Sequence, residues 1–333
     1  MQKVIRIGTR DSELALWQAN KVQRMLNELG YETKIAPIKS TGDIVLNKPI
    51  YALGITGVFT RNLDITLLNN EIDIAVHSMK DVPTVLPEGI IQAAVLKRAN
   101  YSDILVLKDT EEFFARKEAT IATGSLRRKA MWLNRFPTHT VVELRGNVNT
   151  RLQKLEDNDW NGAVFAAAGL ERIGKRSAGA VNLSWMISAP AQGAIMVVSL
   201  AEDDFVKDAC EQLNHHETEV CVSIEREFLH RLEGGCTAPI GALAYVDEKT
   251  EEINFKGVLL SKDGKKKIEV AKITPLGKHR YLAQDCADYV IDRRGKQLII
   301  DDIDVEEQIS TRVFSTKSLS VSQAKLFHNN ISS

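Results

Sequence analysis

One thiol and a set of basic junctions carry whatever chemistry this chain performs. Cys236 lies in the run Leu232-Glu233-Gly234-Gly235-Cys236-Thr237-Ala238-Pro239-Ile240. Two glycines clear side chains from the approach to the sulfur and a proline stiffens the exit, so the loop admits a bulky group against its backbone. Taken alone, the residue also fits an ordinary buried cysteine beside a turn. Four further segments change the balance: Gly8-Thr9-Arg10-Asp11-Ser12, His77-Ser78-Met79-Lys80-Asp81, Thr123-Gly124-Ser125-Leu126-Arg127-Arg128 and Arg145-Gly146-Asn147-Val148-Asn149-Thr150-Arg151. Each follows a short apolar run and opens a helical stretch. Helix starts offer unpaired N–H groups to anions, and arginine adds a fork that grips carboxylates at two points. One such junction is a solvated surface; four imply a cleft for a ligand with many carboxylates or phosphates. Asp81, fixed in a loop by Pro83, reads either as a turn residue or as the one carboxylate of that cleft, able to offset a developing positive charge.

The elements that must position these residues are legible from periodicity. Val4–Ile7 reads as a strand, and the spacing of Ala15, Ala19, Val22, Leu26 and Leu29 predicts a helix over 12–29 stopped by Gly30. Further strands are expected at 35–38, 74–76, 90–95, 104–107, 121–123, 141–144, 163–167 and 195–200, alternating with helices as in parallel α/β sheets. Sequence boundaries fall near 97–102 and 188–193. From about Thr218 the pattern changes to a helix ending at Leu232, three strands and a helix, a smaller α+β unit. No internal repeat stands out.

Bulk properties narrow the function classes. A chain of 333 residues is long enough for two or three domains. With 43 basic and 44 acidic residues the net charge is −1, so no global field favours nucleic acid and any basic site is local. Cys210, Cys221, Cys236 and Cys286 show neither Cys-x-x-Cys nor zinc-like spacing, which suits free thiols in a reducing cytoplasm. His215-His216-Glu217 superficially suggests a metal pair, but neighbouring helical side chains point about 100° apart; no metal is expected. Phosphate loops of the Walker or Gly-x-Gly-x-x-Gly type are absent, the N-terminal run is too short for a signal peptide, and no membrane association is expected.

In combination, these stretches resemble the porphobilinogen deaminase (hydroxymethylbilane synthase) family, from about Arg6 to about residue 300. The resemblance rests on Gly8-Thr9-Arg10 with Leu14-Ala15-Leu16-Trp17-Gln18, on Ala75 through Pro83, and on Gly124-Ser125-Leu126-Arg127-Arg128. It continues through Leu144-Arg145-Gly146-Asn147-Val148, Leu213-Asn214-His215-His216-Glu217 and Leu232 through Cys236. It implies a transferase of heme biosynthesis that joins four porphobilinogen molecules head to tail into hydroxymethylbilane, releasing ammonia, on a covalently held dipyrromethane primer. It places the thioether on Cys236 and the catalytic carboxylate on Asp81. Arg10, Ser12, Lys80, Ser125, Arg127, Arg128, Arg145, Arg151 and Arg172 fall on positions that grip acetate and propionate groups. Gln18 and Gln192 fall beside them, and Phe59 matches an aromatic near the pyrrole rings. The implied fold is two periplasmic-binding-protein-like α/β domains (1–97 with 194–214, and 98–193) facing a cleft, plus a smaller α+β domain (217–304), acting as a monomer.

Two departures from the family pattern stand out. Thr56 occupies a position where many members carry lysine, within Gly54 through Asp64. The chain also runs on through 305–333, where Arg312-Val313-Phe314-Ser315-Thr316-Lys317 looks like the opening strand of a uroporphyrinogen-III synthase, the next enzyme of the pathway; a polar tail is the alternative. The competing functional reading is a non-catalytic cleft protein that merely holds a polycarboxylate. Such a protein needs neither an anchoring thiol nor a carboxylate among arginines.

Overall fold

A computed structural model describes residues 3–39, 60–108, 110–232, 238–293, 295, 297 and 298. The expectations for Phe59, Thr56, Cys236 and the segment 305–333 lie outside the described residues. Among those described, no helix is long and apolar enough to cross a membrane.

The first sheet is built on β1 (Ile5–Arg10), which pairs in parallel with β2 (Thr33–Ile38) and β3 (Ile74–Ser78). Ile5, Ile7, Ile74 and Val76 are almost wholly buried because helices cover both faces. Between the first two strands, α1 (Glu13–Glu28) starts where the Ser12 hydroxyl accepts the Ala15 N–H. The helix α2 (Arg61–Leu68) leads into β3. After β4 (Ile90–Val95) the chain crosses to a second sheet made of β5 (Asp103–Leu107), β6 (Thr120–Ala122), β7 (Thr140–Val142), β8 (Gly162–Ala166) and β9 (Val181–Asn182). Its helices are α3 (Leu126–Arg135), α4 (Val148–Asp157) and α5 (Ala167–Arg172). The chain then returns to the first sheet as β10 (Ile195–Leu200), followed by α6 (Asp204–Glu211).

The sheets are mixed, which corrects the all-parallel expectation. The strand order is β2-β1-β3-β10-β4 in one and β7-β6-β8-β5-β9 in the other. In the first, β10 runs antiparallel to β3 and β4. In the second, β5 runs antiparallel to β8 and β9. The two sheets therefore share one topology, a repeat that leaves no trace in the sequence. In each, the antiparallel strand is the first one entered after a crossover.

A third unit packs α7 (His216–Arg231) and α8 (Leu282–Asp292) on an antiparallel sheet of β11 (Ile240–Asp247), β12 (Glu252–Leu260) and β13 (Lys267–Pro275). Phe228, Phe255 and Val290 lie at the centre of its core. His215 is the N-cap of α7, its ring accepting the Thr218 N–H.

Glu225, wholly buried on α7, joins the three units. Its carboxylate accepts both guanidinium ends of Arg98 at 2.6 and 3.0 Å, the Ala191 N–H at 2.6 Å and the Ala244 N–H at 2.6 Å. Arg98 belongs to the outgoing crossover, Ala191 to the returning one and Ala244 to β11. The crossovers run side by side, with the Ala99 N–H on the Gly193 carbonyl. Gly193 (φ +88) is required there, since a Cβ would come within 2.7 Å of the Ala99 oxygen. Ala191 also adopts a left-handed φ of 60°, a conformation held only where the surroundings over-determine it. Replacing Glu225 with alanine leaves a buried guanidinium and two buried N–H groups unmatched. We expect Glu225→Ala to lose about 3–5 kcal/mol in urea unfolding, and unchanged unfolding would contradict this role.

Candidate active site between the two α/β lobes

Parallel strands deliver their following residues to the carboxyl edge of a sheet, and here two such edges face one another. Arg10 ends β1, and Ser12 caps α1. Lys80 and Asp81 sit in a 3₁₀ turn, Met79–Asp81, directly after β3, so Asp81 is in a helical turn and not an open loop. From the second sheet, Arg128 lies in the first turn of α3, whose N-cap is Ser125. Arg145 follows β7, and Arg151 lies in the first turn of α4. Gly146 (φ +114) makes the reversal between them; a Cβ there would meet the Thr150 side chain at 2.7 Å.

These side chains share one cavity of about 180 Å³, lined by Arg10, Ser12, Lys80, Asp81, Arg128, Arg145 and Arg151 among others. A single water needs only about 10–15 Å³ on that measure, so the space suits an organic ligand. Asp81 is not the only carboxylate at the wall, contrary to expectation, because Glu13 also lines it. At the rim Glu13 accepts from Asn149 at 2.7 Å, and Lys175 lies 3.4 Å from it.

Sequence reasoning missed the group that supports the wall. Asp103, the first residue of β5, is wholly buried. It accepts from Arg127 Nη1 at 2.7 Å, Arg128 Nε at 2.9 Å and Gln192 Nε2 at 3.0 Å. Burial pushes its carboxyl up, but the two guanidiniums outweigh burial and hold it below the usual range. An acidic residue opening the apolar run Ile104-Leu105-Val106-Leu107 was the only available signal.

Five expected ligand contacts lie behind the cavity wall and not on it. Arg127 is buried against Asp103 and the Ile187 carbonyl. Ser125 caps α3 through the Arg128 N–H. Gln18 donates to Ser78 at 2.8 Å. Arg172 donates to the Gly193 carbonyl and lies over Trp17. Gln192 is wholly buried; its carbonyl oxygen is 3.5 Å from both Lys80 Nζ and Arg128 Nη2, which links a cation of each lobe.

Electrostatics suit an anionic guest. Burial lowers Lys80 to about 8, with Asp81 opposing the shift and Arg128 adding to it. Burial, then the charge of Arg128, lowers Arg151 to about 10. Nε and Nη1 of Arg145 are buried without a hydrogen-bond partner among the described residues, donors that a carboxylate-bearing ligand would satisfy. His77, buried beneath the site, is pushed down to about 4 by burial and by Arg10, so it is neutral at physiological pH.

Fold and site together define a two-lobed protein with a cation-lined cleft between the lobes and a third domain tied to the axis between them. Residues 5–208 match the model of the porphobilinogen deaminase dipyromethane cofactor binding domain, and residues 219–292 match the porphobilinogen deaminase C-terminal domain. The chain is 43% identical over 262 residues to a probable porphobilinogen deaminase of Methanocaldococcus jannaschii, covering 78% of this chain and 89% of the relative. It is 41% identical over 301 residues to the porphobilinogen deaminase of Desulfitobacterium hafniense, covering 89% and 96%. Among solved structures, a probable amino-acid ABC transporter extracellular-binding protein of Bacillus subtilis aligns at 12% identity and a TM-score of 0.39, over 64% of this chain and 90% of that one; this likeness decides nothing about the ligand. The chain belongs to the porphobilinogen deaminase family. It is a transferase of tetrapyrrole biosynthesis that assembles porphobilinogen into hydroxymethylbilane, and the passive polycarboxylate binder is not favoured.

Lys80 offers a direct test of the cleft as an anion site. Its lowered value means the empty site releases that proton above about pH 8, and an arriving carboxylate restores it. Just above that pH, binding of citrate to the Cys236→Ser protein, which should lack the primer, should therefore take up a proton, measured by calorimetry in two buffers of different protonation enthalpy. Lys80→Met should abolish the uptake; if it persists, the proton enters elsewhere.

Proposed function

We propose that Asp81 is the catalytic carboxylate of this transferase and that Cys236 holds the dipyrromethane through a thioether. The observation that carries the reading is the placement of Asp81 in one cavity with Arg10, Lys80, Arg128, Arg145 and Arg151. Each porphobilinogen carries two carboxylates, so a growing product needs several fixed cations. Arg10, the Ser12 hydroxyl, Lys80, Arg128, Arg145 and Arg151 would hold the carboxylates of the primer and of the units joined to it. When bound, the primer supplies the pyrrole carbon to which the first substrate unit is joined.

The C–N bond of the substrate's protonated aminomethyl group breaks, the nitrogen leaves as ammonia, and the methylene-pyrrole left behind is cationic. Asp81 stabilises that charge electrostatically at the position where it develops. The same carboxylate accepts the proton displaced from the attacking pyrrole carbon as the new carbon–carbon bond forms.

Attachment at Cys236 is supported by the remaining thiols. Cys210 and Cys221 are buried and pushed up to about 12, and Cys286 to about 11, in each case first by burial. The thiolate is the nucleophile, so these three are poor candidates for a thioether.

Asp81→Asn removes the charge and keeps the shape. We expect a folded variant with turnover lower by about 10²–10³, against a slow but measurable Asp81→Glu; turnover near the parent's in Asp81→Asn would reduce Asp81 to a turn residue.

The attachment has its own readout. Intact mass of the parent should exceed the sequence mass by one dipyrromethane, and Cys236→Ser should lack that increment. A serine variant that retained it would move the linkage elsewhere.

A further inference from the structure

Arg226 follows Glu225 on α7, and adjacent helical positions point about 100° apart. While Glu225 faces the crossovers, Arg226 reaches the first lobe and ends on backbone. Its Nη1 donates to the Val82 carbonyl at 2.9 Å and, at a longer 3.4 Å, to the Met79 carbonyl; its Nη2 donates to the Pro83 carbonyl at 2.6 Å. These three carbonyls bracket Asp81 on both sides. The guanidinium is half-buried, no carboxylate pairs with it among the described residues, and burial lowers its pKa. Four residues further along α7, His230 Nδ1 lies 3.4 Å from Thr84 Oγ1, so the helix follows this turn for a full helical repeat.

Besides Arg226, the turn is anchored by Met79 and Val82, buried in the core of the first lobe, and by Lys80 Nζ at 3.5 Å from the Gln192 Oε1. Its own hydrogen bond, Val82 N–H to the Met79 carbonyl, spans three residues, and Pro83 brings no N–H. On the side toward β3 the Met79 N–H is held by the Ala194 carbonyl. On the far side the contacts run to α7. A guanidinium with several donors in a fixed fork sets the relative positions of several carbonyls, which an ammonium on a flexible stem does less well.

We propose that Arg226 is a positioning residue for the reaction, shaping from the third domain the turn that presents Asp81. The inference rests on Asp81 as the catalytic carboxylate. It assigns α7 two tasks, since the helix ends at Arg231, about 7.5 Å along its axis from Arg226, and leads directly into the segment that contains Cys236.

Arg226 does not line the cavity, so its loss should act on kcat and spare substrate binding. The experiment compares Arg226→Met and Arg226→Lys with the parent in kcat and KM for porphobilinogen, using protein whose intact mass includes one dipyrromethane. A displacement of about 1 Å near reacting groups costs on the order of 10²-fold. We expect kcat of Arg226→Met to fall about tenfold to a hundredfold at nearly unchanged KM, with Arg226→Lys recovering part of the loss. In an Asp81→Glu background, where the carboxylate is already displaced, the same Arg226→Met change should cost several-fold less, because coupled sites are not additive.

Parental kcat in Arg226→Met, or an equal loss in both backgrounds, overturns the proposal. Should the methionine variant fail to fold, the lysine variant decides: reduced kcat at parental KM supports the role and parental kcat refutes it. Failure of the underlying reading looks different, because Asp81→Asn alone would then retain parental turnover.

Discussion

Five cations at one cavity wall repel one another in a poorly solvated space, and the rest of the site is arranged around that constraint. Its signature is the lowering of Lys80 to about 8 and of Arg151 to about 10 by burial, with neighbouring guanidiniums adding to both. The chain answers with a carboxylate placed behind the wall and not in it. Asp103 is wholly buried and bonded to Arg127, Arg128 and Gln192. Buried ion pairs of this kind add little net stability, because desolvation offsets their attraction; their value here is geometric. Arg128 keeps a guanidinium at the cavity while its other N–H groups are occupied by Asp103 and the Val164 carbonyl. Asp81 remains at the wall, where a developing positive charge would meet it.

Placing cations on two lobes transfers the precision of the site to the segments that join them. The outgoing and returning crossovers lie in contact at Ala99 and Gly193, and both are bonded to Glu225. Gln192, on the returning segment, lies between Lys80 and Arg128. The peptide that connects the lobes therefore also spaces their cations. This accounts for a glycine and a left-handed alanine within three residues: the returning chain must pass close to its neighbour and still place a glutamine side chain between Lys80 and Arg128.

Much of this was legible before any coordinates. Runs such as Ile74–Val76 and Ile195–Val198 are strands because both faces of each sheet are covered there, and burial on both faces produces continuous apolar sequence. The basic junctions were legible because strand ends and helix starts carry their own signals. Strand direction was not legible: β5 and β10 look like any other buried strand, and their antiparallel sense follows from where the chain re-enters each sheet. The split between Arg127 and Arg128 was equally hidden, since adjacent helical residues face differently and nothing in the sequence marks Asp103 as the partner of both. Glu225 and Arg226 read as ordinary charges on an amphipathic helix, and their partners lie on other elements, 127, 34 and 19 positions away for Glu225 and 143 to 147 for Arg226.

The contacts between units differ in kind, and the difference orders their strengths. At the axis, Glu225 and Arg98 are buried and charge-assisted, and removing one partner strands the other. The third domain also reaches the second lobe, where Asn134 on α3 donates to the Gly264 carbonyl at 2.7 Å and Ala242 donates its N–H to the Ser188 carbonyl. At the rim, the Glu13–Lys175 pair is exposed at both ends. Such pairs contribute about 0–1 kcal/mol and are screened by salt. Opening the lobes at the Glu13 and Asn149 rim therefore costs little, whereas separating them at Glu225 disrupts several buried polar groups at once.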